Sequence, residues 1–174
     1  TLAPELGDNA ISCTAPSKTF NIAGMHASII FISNKELRER FSEEIKAVGG
    51  VQVNMLGLAA CRAAYTDGRE WLDELLVYLR DNFNLMSSFL SEKLPEISFT
   101  APQGTYLAWL DFAEYGKKRG CETPGALDEF ITNRAGLWLD GGDMFGPEGA
   151  GFQRINIACT RATLREALEK LAAV

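Results

Sequence analysis

The sequence has few of the residue types that would commit it to metal, redox or membrane chemistry. It contains one histidine, His26, in 174 residues, and a lone imidazole offers few ways to build a metal centre. Its four cysteines, Cys13, Cys61, Cys121 and Cys159, show no CxxC spacing; free thiols in a reducing cytoplasm are the expectation. No stretch approaches the roughly 20 apolar residues of a membrane-spanning helix. The chain also opens without the charged segment and apolar run of a secretory leader. Basic charge is in deficit: 17 Lys and Arg against 23 Asp and Glu leave a formal net charge of −6, so a nucleic-acid partner held by a basic face is not expected. What remains is a soluble, cytoplasmic protein acting on a small molecule.

The chain is 47% hydrophobic, the composition of a globular protein of one ordinary domain or two small ones. It begins at Thr1 with no capping residue before a periodic run, which hints at a piece of a longer protein. Ala10 to Thr14 reads as a strand that Pro16 stops, leaving Lys18 just beyond a strand end. The apolar run Ser28 to Ile32 reads as a strand buried on both faces. Asn34 caps a helix to about Val48, ended by Gly49 and Gly50. A second helix spans about Asn54 to Tyr65, its alanines permitting close packing. Asp67 and Glu70 form a capping-box pattern. From there Leu72, Leu75, Leu76, Leu79, Phe83, Met86, Leu90 and Leu94 recur at three- and four-residue steps, predicting a helix of roughly 25 residues that ends before Pro95.

Beyond Pro95 the pattern shortens. Strands are expected over Thr105 to Phe112 and Gly151 to Cys159, with helices from Pro124 to Arg134 and from Thr160 or Thr163 to the end. This is a small α/β unit with an antiparallel or mixed sheet covered by helices.

Two polar residues stand out. Lys18, flanked by Ser17 and Thr19 and followed by small residues, could present an amine to an aldehyde cofactor, and burial would favour its neutral form. It could equally be a solvated loop lysine. Arg154 alternates on its strand with apolar neighbours, sharing a face with Phe152, Asn156 and Ala158 opposite Ile155 and Ile157. Its planar fork suits a carboxylate, either a ligand's or that of a structural Asp or Glu.

The segment Ala15-Pro16-Ser17-Lys18-Thr19-Phe20-Asn21-Ile22-Ala23-Gly24-Met25 resembles the cofactor-lysine segment of fold-type I pyridoxal-phosphate enzymes, in the cystathionine β-lyase-like MalY/PatB group of the aminotransferase superfamily. Gly151-Phe152-Gln153-Arg154-Ile155-Asn156-Ile157-Ala158-Cys159-Thr160-Arg161 resembles that family's C-terminal signature. Ala101 to Asp111 and Gly136 to Gly146 are similar to the strand and loop between them, so the likeness runs along the whole chain in the family's order. Gly104 would then permit a close backbone approach, and Trp138, Met144 and Phe145 would be core or pocket wall.

The resemblance implies that Lys18 condenses with pyridoxal 5'-phosphate and acts as the catalytic base. Ser17, with Thr14 as a weaker candidate, contacts the phosphate. Arg154 grips the substrate α-carboxylate, and Arg161 is structural. Three positions depart from the pattern: Ala15 replaces a common serine, Thr160 a common proline, and His26 stands where many aminotransferases have a phosphate-binding arginine. His26 is therefore either a cofactor contact or a polar residue satisfied beside a strand. The implied activity is a carbon–sulfur β-lyase acting on a small amino-acid substrate. An aminotransferase is the alternative reading, and a non-catalytic interaction module a third.

The family's aspartate for the pyridine nitrogen, its stacking aromatic ring and part of its phosphate site precede the lysine by far more than the seventeen residues found here. The resemblance thus implies the C-terminal part of the fold. Residues 1–66 would end the large cofactor domain, 67–94 form a connecting helix and 95–174 make the small domain. This polypeptide alone would be inactive, and the full-length protein a homodimer.

Overall fold

A computed structural model describes residues 4–50, 52 and 54–174; the opening Thr1 to Ala3, with residues 51 and 53, lies outside them. The chain divides into two compact units, Thr1–Glu74 and Leu75–Val174.

In the first unit, β1 (Ile11–Thr14) and β2 (Ile29–Ile32) form a two-stranded antiparallel sheet that pairs Ile11 with Ile32 and Thr14 with Ile29. The apolar run led us to expect a strand buried on both faces, but only Ile32 is buried, while Phe31 is 59% exposed. Two strands alone have no second layer to cover them. Helix α1 (Lys35–Ala47) starts where Asn34 Oδ1 accepts from the Leu37 N–H at 3.2 Å. It ends as Gly49 and Gly50 turn left-handed and return their N–H groups to Lys46 and Ile45. Helix α2 (Met55–Asp67) is capped by Asn54.

The 25-residue helix α3 (Arg69–Lys93) matches the predicted length but not the predicted cap. Asp67 is the last residue of α2, and its carboxylate takes the Thr66 hydroxyl at 2.9 Å. Gly68 alone separates the two helices and accepts the Leu72 N–H. A helix arriving directly from another leaves no extended residue for a capping box.

In the second unit, β3 (Ser98–Phe99), β4 (Leu107–Asp111), β5 (Asp140–Gly141) and β6 (Phe152–Asn156) form a wholly antiparallel sheet in the order β3-β4-β6-β5. Strand β3 and helix α4 (Ala113–Arg119) were not foreseen, since both are too short for a periodic signal. Helix α5 (Pro124–Phe130) starts at Pro124 as expected, capped by Thr123, and continues into a π-helical turn, Ile131–Ala135. Helix α6 (Arg161–Ala172) is capped by Thr160, whose Oγ1 accepts from Thr163 N at 3.2 Å.

One face of this sheet makes the core. Leu110, Ile155 and Ile157 meet Met86, Leu90 and Leu94 from the α3 side and Leu164, Leu168 and Leu171 of α6, all buried. Asn82, fully buried on α3, donates to the carbonyls of Ile157 and Cys159 at 2.9 and 3.0 Å. These bonds tie the chain leaving β6 to the long helix. Gly104 is not crowded: a Cβ there would meet nothing within 4 Å.

Candidate active site

The connection between β1 and β2 carries three of the predicted cofactor residues. Thr14 closes β1, and the chain turns through Ser17 and Lys18, where the Phe20 and Ile22 N–H groups donate to the Pro16 and Ser17 carbonyls at 2.9 and 3.0 Å. Pro16 is buried and Ser17 half-buried, whereas Thr14 and Lys18 are exposed. The lysine is thus held by its backbone and not by burial. Among the described residues its amine has no hydrogen-bond or ion-pair partner. The turn is anchored by Phe20, which stacks on Trp71 at 6.2 Å, meets Tyr65 edge-on at 5.8 Å and lies against Gly68.

His26 ends a 3-10 turn, Ala23–Met25, with a left-handed φ of 48°, an unusual conformation for a residue other than glycine. Its N–H donates to Ala23 at 3.2 Å, and the residue is exposed. Antiparallel pairing of Thr14 with Ile29 brings both ends of the 15–28 connection to one end of the small sheet.

A primary amine free of protein partners, with hydroxyls one and four residues before it, is a donor set that fits an aldehyde bearing a phosphate group. The fit lies in the chemistry of Lys18, Ser17 and Thr14 and the turn that presents them.

In the second unit Arg154 lies on the outer face of the sheet, as alternation predicts: Gln153, Ile155 and Ile157 are buried, while Phe152 and Arg154 are half-buried and Asn156 is exposed. Its register partners are Trp109 on β4 and Asp140 on β5. Asp140 supplies the structural carboxylate that the sequence left open. Arg154 Nε and Nη2 donate to Asp140 Oδ2 at 3.0 and 2.7 Å. The guanidinium carbon stands 4.4 Å from the Phe145 ring centre, a cation–π contact. Phe145 in turn meets Trp109 edge-on at 5.5 Å, and Trp109 stacks on Phe152 at 5.6 Å.

Neither the Asp140 partner of Arg154 nor the Phe145 contact is legible in the sequence. Local spacing carries no signal for either, because the pairing depends on strand register. Trp138, at 91% exposure, and Met144, at 67%, are not core residues. Trp138 is instead on the wall of a shallow cavity, near Asp128, which accepts a hydrogen bond from Gln153.

Arg161 is held structurally: its Nη2 donates to Asp81 at 2.7 Å, its N–H donates to the Tyr78 hydroxyl, and its guanidinium lies over the Tyr78 ring. Burial pushes the Cys159 thiol up, which disfavours the nucleophilic thiolate. Among the described residues no cluster of His, Cys, Asp or Glu could hold a metal ion, and no helix is long and apolar enough to cross a membrane.

No known protein-family model matches the chain. Individual proteins do. The chain is 38% identical over 172 residues to cystathionine beta-lyase PatB of Bacillus subtilis, covering 99% of this chain and 43% of that protein. It is 32% identical over 166 residues to protein MalY of Escherichia coli, covering 95% and 41% respectively. Among solved structures, cystalysin from Treponema denticola, which contains pyridoxal 5'-phosphate, superposes with a TM-score of 0.91 at 37% identity, covering 99% of this chain and 42% of that one. The chain therefore spans about two-fifths of the length of the relatives it matches.

Proposed function

We propose that this chain, which is homologous over its length to the C-terminal part of the PatB/MalY cystathionine β-lyase-like group of fold-type I pyridoxal-phosphate enzymes, serves in a carbon–sulfur β-lyase. Its substrates would be cystathionine or cysteine S-conjugates. In this reading the residues up to the end of α2 belong to the large cofactor domain, α3 (Arg69–Lys93) is the connecting helix and 95–174 make the small domain. The observation that supports this reading is the match of 99% of this chain to 43% of PatB at 38% identity, together with the 0.91 TM-score to cystalysin.

When bound, pyridoxal 5'-phosphate supplies the electron sink for negative charge at the substrate Cα. The residues of this chain do the rest. Lys18 is the residue that would hold the cofactor, through its amine. Once released, the Lys18 amine would take the Cα proton as general base. Ser17 and Thr14 would donate their hydroxyls to the cofactor phosphate, and His26, on the same connection, would be a further contact. Arg154 binds the substrate α-carboxylate through its fork. With the Cα proton on Lys18, the β-thiol leaves, and hydrolysis of the product yields pyruvate and ammonia.

The test uses the complete polypeptide that carries this sequence, loaded with the cofactor and given cystathionine. Pyruvate and ammonia should appear, and Lys18→Ala should abolish them. Transamination that depends on added keto acid, with no pyruvate from cystathionine, would replace the lyase reading by an aminotransferase. Function that survives Lys18→Ala would favour a binding module.

A further inference from the structure

We propose that Asp140 is a positioning residue for Arg154, holding the guanidinium by one edge so that its other edge faces a substrate carboxylate. The inference rests on the reading of Arg154 as the carboxylate anchor.

A guanidinium offers five N–H donors in a rigid plane, and a carboxylate can dock on either of two edges, Nε with Nη2 or Nη1 with Nη2. Asp140 uses the first. A single oxygen, Oδ2, accepts from Nε at 3.0 Å and from Nη2 at 2.7 Å. Two donors converging on one acceptor fix the plane of the group, where one bond would leave it free to rotate. Phe145 restrains it from a ring face, 4.4 Å from the guanidinium carbon.

Nη1 has no protein partner among the described residues. The Arg154 side chain is 31% exposed, and the edge carrying Nη1 is the one that a ligand would use. The Asp140 side chain is 44% exposed, and an ion pair so open to water adds little stability. Its main consequence is direction: it selects which edge remains for the ligand. Phe145 lies against the guanidinium and continues through Trp109 to Phe152 as an aromatic row, which suits the carboxylate of an organic substrate better than a free inorganic anion.

The alternative is that Asp140 competes with the substrate for Arg154. The two roles predict opposite signs. In the complete, cofactor-loaded protein, Asp140→Ala should raise KM for cystathionine on the order of tenfold through loss of orientation, with kcat changed less than about twofold. Asp140→Asn, whose carbonyl oxygen still accepts from Nε, should restore KM to within about threefold of the wild type. A second readout needs no turnover: the Nε–H resonance of Arg154 in an arginine-selective ¹⁵N spectrum, assigned by its loss in Arg154→Lys, should exchange slowly in the wild type and Asp140→Asn and fast in Asp140→Ala. A fall in KM in Asp140→Ala, or unchanged KM and exchange, would overturn the proposal. Arg154→Ala separates the two levels. If it raises KM while Asp140→Ala does not, only the positioning role is lost. If it leaves KM unchanged, Arg154 is not the anchor, and both readings fall.

Discussion

Asn54 joins the start of α2 to the segment that follows the lysine turn: its Nδ2 donates to the carbonyl of Met25, 29 residues earlier, at 2.7 Å. The same side chain accepts the Gly57 N–H at Oδ1, at 2.6 Å. One amide thus caps a helix and tethers the 15–28 connection. Asn54→Ala should cost about 1–2 kcal/mol, the range for a lost N-cap. Asn54→Asp keeps the cap but loses the donor to Met25, and should fall between alanine and wild type. Urea unfolding of the three proteins gives the order; equal midpoints for aspartate and asparagine would show that the tether contributes nothing.

The Glu96 carboxylate should shape the acid limb of stability. Burial alone would push its pKa up, but the hydrogen bond from Arg119 Nη1 at 2.9 Å, with the nearby Lys118 charge, outweighs this and holds Glu96 below its usual value. A folded-state pKa below the unfolded one means that the stabilisation is fully present above the unfolded value, about 4.3, and is lost as pH falls through the folded value. Glu96→Gln should therefore cost roughly 1–3 kcal/mol at neutral pH, and the gap to wild type should close in strong acid. Denaturant unfolding between pH 7 and 2 measures it. A gap independent of pH would rule the linkage out.

Gly142 and Gly149 face each other across the loop between β5 and β6, so close that a Cβ on either would overlap the other's carbonyl oxygen; one on Gly142 would also come within 2.9 Å of Phe152 Cβ. Neither glycine needs a left-handed backbone, so the requirement is for space. Gly142→Ala should destabilise by about 1–3 kcal/mol through overpacking. Gly125→Ala, in α5 with nothing within 4 Å, should be neutral or stabilising by up to ~1 kcal/mol. Thermal midpoints of the two variants should move in different directions, or at least by clearly different amounts.

The 174-residue chain alone should retain no stoichiometric pyridoxal 5'-phosphate after dialysis. Its Lys18 is exposed, and the chain spans about two-fifths of the length of the pyridoxal 5'-phosphate-containing cystalysin it matches. A protein-bound cofactor absorbance that persists in the wild type and vanishes in Lys18→Ala would contradict this.

The sequence alone determined what local chemistry determines. The long helix was legible because eight apolar positions keep one stripe over about six turns, and the first helix because asparagine and a glycine pair bracket it. Arg154 could be assigned to the outer sheet face because alternation has a period of two. Lys18 stands out only through its neighbours, as a motif, and its role is part of the proposed function. Three features were decided only by tertiary structure. The Asp67 capping box failed because α2 runs into α3 through Gly68 alone. Phe31 remained exposed because two strands cannot cover their own faces. Asp140 became the partner of Arg154 because antiparallel register sets residues fourteen apart side by side, a distance at which spacing in the chain carries no information.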